Sequence, residues 1–145
     1  MKVKEVMTQD VIITSPRQSI CDAAKLMAEC DAGALPVGEN DRLVGVITDR
    51  DIAVRAVAKR LSPDTSVRDI MSQEVLYCFD DEEVDHVARN MADQQIRRLP
   101  VLNRDKRLVG IVSLGDLALN AKPKTTGEAI AGISRPGGRH DQTLH

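Results

Sequence analysis

The sequence predicts an α+β fold built from two pseudo-symmetric copies of one β-α-β-β-α unit. Three observations carry that prediction. Sliding the chain against itself by 64 positions lays Val3 on Val67, Met7 on Met71, Ala24 on Ala88 and Leu35-Pro36-Val37 on Leu99-Pro100-Val101. One extra residue near Lys106 then moves Arg42-Leu43-Val44-Gly45 onto Arg107-Leu108-Val109-Gly110 and Asp51 onto Asp116. Within each copy, helix-period apolar stripes are followed by β-rich runs.

The elements follow in order. A short amphipathic lead opens each copy, Val3 to Met7 and Val67 to Met71. A strand is expected at Val11–Thr14 and at Val75–Cys78. In the first copy Ser19 and Asp22 have capping-box spacing ahead of the stripe Ile20, Ala23, Ala24, Met27. In the second copy Asp80 or Asp81 is expected to cap a helix with the stripe Val84, Val87, Ala88, Met91. Two strands come next, Ala34–Gly38 and Leu43–Thr48 around the polar turn Glu39-Asn40-Asp41, matched by Arg98–Leu102 and Leu108–Ser113. A second helix closes each copy, at Asp49–Lys59 and Gly115–Ala121. These readings give a first domain over residues 1–62, a linker over 63–66, a second domain over 67–122 and a mobile C-terminal tail over 123–145, rich in Gly and Pro. A sixty-residue unit buries little surface alone, so the copies are expected to pack on each other through their sheets.

Composition narrows the function. The 145 residues hold 20 Lys+Arg against 22 Asp+Glu, a net charge of −2, without the basic footprint that nucleic acid requires. Tyr77 and Phe79 are the only aromatics, so base stacking by aromatic side chains is nearly unavailable. No apolar run is long enough to span a membrane, and the expectation is a cytoplasmic protein with no membrane contact. Cys21, Cys30 and Cys78 lack CxxC spacing and are expected as buried, reduced thiols without a metal. No Ser-His-Asp or Cys-His set is placed by a motif, so no catalytic residue is assigned and an enzyme is not expected. His86 reads as a solvated edge residue, and Met27 and Met91 as core fillers.

Two segments carry the candidate chemistry, Gly45-Val46-Ile47-Thr48-Asp49-Arg50-Asp51 and Gly110-Ile111-Val112-Ser113-Leu114-Gly115-Asp116. Each places a hydroxyl residue where a strand becomes a helix, and an Asp one turn on. Unpaired N–H groups at a helix start favour an anion such as phosphate, and a carboxylate offers acceptors to a diol such as ribose. The same spacing is also a capping box, and spacing alone leaves both readings open.

The span from Val3 to Ala121 resembles a tandem pair of cystathionine beta-synthase (CBS) domains, a Bateman module. The residues that carry the resemblance are Val6-Met7-Thr8, Pro16, Leu35-Pro36-Val37 and Gly45 to Ile52. Those of the second copy are Ile70-Met71-Ser72, Ile96-Arg97-Arg98-Leu99-Pro100-Val101 and Gly110 to Leu117. The resemblance implies two clefts between the domains that take AMP, ADP, ATP or S-adenosylmethionine, with no required cofactor. It implies a homodimer shaped like a disc and a regulatory output to an unknown protein target. It assigns Thr48 and Asp51 to one cleft and Ser113 and Asp116 to the other. Thr14 and its counterpart Cys78 fall where members of the family contact the base, with Ile13 and Tyr77 as walls. Arg97-Arg98 is similar to a basic pair that holds phosphates in the gamma subunit of AMP-activated kinase, while the first copy has Gly33-Ala34 there. Pairing with acids such as Asp93, or plain solvation, remains the other reading of the two arginines. The alternatives to ligand sensing are a ligand-free dimeric interaction scaffold and a redox-responsive module.

Overall fold

The computed structural model describes residues 1–120 and 122–135. The chain forms two compact units, and they do not follow the repeat boundaries. One unit comprises Ile12–Val75 with Lys106–Leu108; the other comprises Met1–Val11, Leu76–Asp105 and the chain from Val109. The leads are therefore exchanged. Each copy's lead packs in the unit built mainly from the other copy.

In the unit of the first repeat, helix α1 (Ile20–Cys30) precedes the antiparallel pair β1 (Ala34–Glu39) and β2 (Arg42–Thr48). Ser19 caps α1 by accepting from Asp22 N at 3.0 Å. The hairpin turns through Asn40 and Asp41, both at positive φ, the geometry of a tight primed turn that Asn and Asp tolerate. Helix α2 (Asp49–Asp51) continues without a break into a π turn over Ile52–Ala56 and a 3-10 turn over Val57–Lys59. The second copy's lead, helix α3 (Val67–Ile70), docks here: Val67 N donates to Gln18 O at 2.8 Å, and Val67 and Ile70 join a core of Ile20, Ala23, Leu35 and Ile47. Burial of those two side chains contributes about 1.5–3 kcal/mol each.

The other unit repeats this plan. It holds β3 (Cys78–Phe79), α4 (Val84–Gln94), β4 (Arg98–Leu102), β5 (Leu108–Ser113), α5 (Leu114–Asn120) and α6 (Pro123–Ile133), with sheet order β3-β4-β5. The first lead forms a 3-10 turn, Val3–Glu5, in which Val3 N donates to Glu82 O at 2.9 Å. Val3 is fully buried with Cys78, Val87, Met91, Val101 and Leu117. Among the described residues no helix is long and apolar enough to cross a membrane.

Several expectations need correction. The strand at Val11–Thr14 reduces to one parallel bridge, Thr14 to Val37, and the strand at Val75–Cys78 to the two residues of β3. Neither Asp80 nor Asp81 caps α4. The N-cap is Glu83, with no side-chain bond, because Arg104 takes Asp81 in two hydrogen bonds of 2.8 Å and holds that carboxyl below its ordinary range. Cys78 is buried, but Cys21 and Cys30 are only half-buried. Residues 123–133, expected within a mobile tail, form α6; residues 136–145 lie outside the described residues.

Helix α6 packs on α4 through small side chains, which carry little hydropathy signal. Pro123 starts it, Ala129 and Gly132 are buried, Thr126 Oγ1 donates to Leu117 O at 3.3 Å, and Gln95 Nε2 donates to Gly132 O at 3.1 Å. The two glycines of this helix therefore predict opposite results. A Cβ at Gly127 meets nothing within 4 Å, so Gly127→Ala should stabilise by about 0.5–1 kcal/mol. A Cβ at Gly132 would lie 2.8 Å from Ala92 Cβ and 3.1 Å from Ala92 O, so Gly132→Ala should destabilise by about 1–3 kcal/mol. Urea midpoints of both variants check the pair; equal shifts would mean that α6 does not pack on α4.

Candidate functional site

Each strand-to-helix junction is closed by a reciprocal box. Asp51 N donates to Thr48 Oγ1 at 3.0 Å, and Thr48 N donates to Asp51 Oδ2 at 2.9 Å. Asp116 N donates to Ser113 Oγ at 3.1 Å, and Ser113 N donates to Asp116 Oδ2 at 2.8 Å. All four residues are half-buried. The box uses one oxygen of each carboxylate and one lone pair of each hydroxyl. Asp51 Oδ1, Asp116 Oδ1 and both hydroxyl protons have no partner among the described residues. Capping and ligand contact are thus compatible: the box fixes the rotamers and leaves two acceptors and two donors to offer.

The glycine in each segment permits a close backbone approach, and the approaching backbone is the exchanged lead. A Cβ at Gly45 would lie 2.9 Å from Ser72 O, and one at Gly110 would lie 2.9 Å from Thr8 O. Both leads pair there with the strand, Ser72 with Val46 and Thr8 with Ile111. The junctions are therefore braced from the side by the lead of the other copy.

Their surroundings differ in charge. At the second junction Arg97 O accepts from Leu114 N at 2.9 Å, which ties Arg97 to the start of α5. Arg97 and Arg98 are exposed, and neither forms an ion pair within 4.0 Å with Asp93. At the first junction Gly33 O accepts from Asp49 N at 2.9 Å, and the Asp49 carboxylate lies 3.1 Å from where a Gly33 Cβ would sit. An arginine pair thus marks one junction and a carboxylate the other. Asp49 was not among the candidate residues, although its mismatch with Leu114 is readable from the repeat.

The base-contact candidates divide. Ile13 and Tyr77 are exposed, 43% and 41%, and Thr14 and Cys78 are buried. The Tyr77 ring meets Phe79 edge-on at 5.6 Å. Ile13 and Thr14 line a hollow of about 430 Å³ whose walls include neither Thr48 nor Asp51.

Burial first, then the carboxylates of Glu82 and Asp80, push the Cys78 thiol up to about 12 from 9.0. Such a thiol is inert as a nucleophile. The sign for stability follows from proton counts. Between pH 9.0 and about 12 the unfolded chain has lost a proton that the folded chain keeps, so stability falls as pH rises through that window. Urea midpoints above pH 9 should fall more steeply for the native chain than for Cys78→Ala; equal slopes would contradict the burial. Among the described residues no three His, Cys, Asp or Glu side chains gather as a metal site.

The comparisons with known proteins agree with this architecture. The family model for the CBS domain matches residues 3–57 and 67–121. The CBS domain-containing protein YhcV of Bacillus subtilis is 42% identical over 133 residues, covering 91% of this chain and 94% of that protein. The crystal structure of CBSX2 in complex with AMP aligns with a TM-score of 0.73 at 29% identity, covering 83% of this chain and 95% of that one. The CBS domain pair of protein MJ0100, in complex with methylthioadenosine and S-adenosyl-L-methionine, aligns with a TM-score of 0.72 at 33% identity, covering 82% and 94%. The chain belongs to the CBS-domain family and carries two CBS domains in tandem.

Proposed function

We propose that this CBS pair is a regulatory module that binds an adenine nucleotide (AMP, ADP or ATP) or a related adenosyl ligand such as S-adenosylmethionine. It acts by conformational or oligomeric change on a protein target in the cytoplasm. The observation that carries the reading is the matched pair of boxes, Thr48 with Asp51 and Ser113 with Asp116, each with a carboxylate oxygen and a hydroxyl proton to spare. The carboxylate suits the ribose diol and the hydroxyl a phosphate oxygen. The AMP complex of CBSX2 and the adenosyl complexes of MJ0100 support the ligand class. Arg97 and Arg98 supply the positive charge for a phosphate chain, and Asp49 disfavours one at the first junction, so ligands rich in phosphate prefer the arginine pair.

The output requires that the ligand bind two states unequally. Val54 and Val57 in one unit stand 47% and 66% exposed, and Leu119 in the other, at the helix position matched to Val54, stands 86% exposed; we assign each of these aliphatic side chains, within its own unit, to a homodimer contact. The same exposure favours the second reading, a dimeric scaffold without ligand. The redox reading loses Cys78, which is buried and held protonated.

A thermal-shift panel with AMP, ADP, ATP and S-adenosylmethionine tests the proposal. A ligand at 100 times its Kd adds about 2.7 kcal/mol, a shift of several degrees in Tm. Arg97→Ala should weaken ATP more than adenosine. If no ligand of the panel moves the midpoint, sensing fails and the scaffold reading stands.

A further inference from the structure

We infer that Asp49 sets the charge of the ligand accepted at the first junction. That junction takes an adenosyl compound with a cation at its 5′ end, such as a sulfonium, in preference to one with a phosphate there. The inference rests on the reading of the Thr48–Asp51 box as a ligand contact and deepens it, since it names a specificity-determining residue for that junction alone.

The duplication supplies the comparison. Both junctions close the same backbone bond: Asp49 N donates to Gly33 O at 2.9 Å, and Leu114 N donates to Arg97 O at 2.9 Å. Asp49 and Leu114 therefore follow the hydroxyl residues Thr48 and Ser113 in equivalent frames. The space beside that bond is used in opposite ways. A side chain on Gly33 would begin 3.1 Å from Asp49 Oδ2, so the first copy sets a carboxylate over bare backbone. In the second copy the side chain of Arg97 begins there instead, and the residue opposite is the half-buried, apolar Leu114. One frame presents an anion and the other a cation.

The Asp49 carboxylate is held in place and keeps its charge on offer. Its Oδ1 accepts from Arg50 N at 2.8 Å, a backbone bond that leaves the charge uncompensated. Among the described residues no cation lies within 4.0 Å of it, and its Oδ2 has no hydrogen-bond partner. The grip on a ligand does not fall to Asp49, which is exposed. It falls to the half-buried box, through Asp51 Oδ1 and the Thr48 hydroxyl. Thr48 and Asp49 are consecutive, so the 5′ group that meets the Thr48 hydroxyl is the part of the ligand nearest the Asp49 charge. A phosphate there meets a like charge, and a sulfonium meets an opposite one. Exposed charge pairs are weak, so Asp49 selects among ligands that the box already holds.

Backbone-amide NMR of the full chain reads the two junctions separately, through Gly33 and Arg50 at the first and Arg97 and Gly115 at the second. The probes are adenosine, S-adenosylmethionine and S-adenosylhomocysteine, the thioether that lacks the sulfonium charge. At Gly33 and Arg50 the sulfonium compound should bind about three- to fivefold tighter than the thioether, the span of an exposed ion pair. At Arg97 and Gly115 that preference should be absent. Asp49→Asn keeps an acceptor for Arg50 N and removes the charge, so it should bring the two compounds to equal affinity at the first junction. A merely structural role would move both affinities together and leave their ratio. Equal affinity in the native chain, or a preference that survives Asp49→Asn, overturns the inference even where adenosine saturates the first junction. No saturable shift at Gly33 and Arg50 with any of the three probes removes the ligand-binding reading itself, and the inference with it.

Discussion

Exchanging Asp51 and Asp116 together for asparagine is expected to abolish most of the ligand-induced rise in Tm while leaving the unliganded Tm within a few degrees. The substitution separates the two duties of each carboxylate. Asparagine retains a carbonyl oxygen that can accept the backbone N–H of Thr48 or Ser113, so the box survives and stability changes by about 1 kcal/mol or less. The charge offered to a ribose diol is lost. Hydrogen bonds to a charged partner are worth about 1.5–3 kcal/mol, so Kd should rise about 10- to 100-fold at each junction. Calorimetric titration of the single and double variants reads this directly. An unchanged Kd with a lowered Tm would show that the carboxylates serve only as caps, and the sensing role would fall with them.

Gly110→Val is expected to be among the most damaging single substitutions in the chain. A Cβ there would lie 2.5 Å from Met7 Sδ and 2.9 Å from Thr8 O, and the latter is backbone that cannot swing aside. Overpacking of this kind costs about 1–3 kcal/mol. The two hydrogen bonds between Thr8 and Ile111, 2.8 and 3.0 Å, would also be lost at about 1 kcal/mol each. Against a usual domain stability of about 5–15 kcal/mol this is a large share. Hydrogen exchange at Thr8 and Ile111 should accelerate before the rest of the unit does. Gly115→Ala, where the nearest atom is Ser113 Oγ at 3.5 Å, serves as the control and should be nearly neutral. Equal effects of the two substitutions would mean that the lead does not pair with β5.

Much of the site was legible because its signals are local. Thr48 with Asp51, and Ser113 with Asp116, meet through bonds three residues long, and the repeat shows the pair twice. The hairpin at Asn40-Asp41 was equally readable, since a two-residue turn with both φ positive needs residues of this type. The rest was not local. Asp81 was a reasonable cap until Arg104, twenty-three residues on, claimed both its oxygens. Helix α6 was missed because its contact face is made of Thr125, Thr126, Ala129 and Gly132, whose packing depends on the shape of α4 and not on hydropathy. The hollow beside Thr14 required knowledge that Gly38 faces Ile13, a contact across twenty-five residues.

Duplication, element order, helix stripes and the paired hydroxyl–carboxylate spacing all follow from the succession of residues, because each is an interaction within a turn or a strand. The trading of leads, which buries Val3 with Met91 and Val67 with Leu35, belongs to the folded chain alone. Two homologous cores accept equivalent valines at the same kind of position, so pattern cannot tell which lead enters which core. Long-range packing settles the choice, and with it which backbone presses on Gly45 and Gly110 behind the junctions.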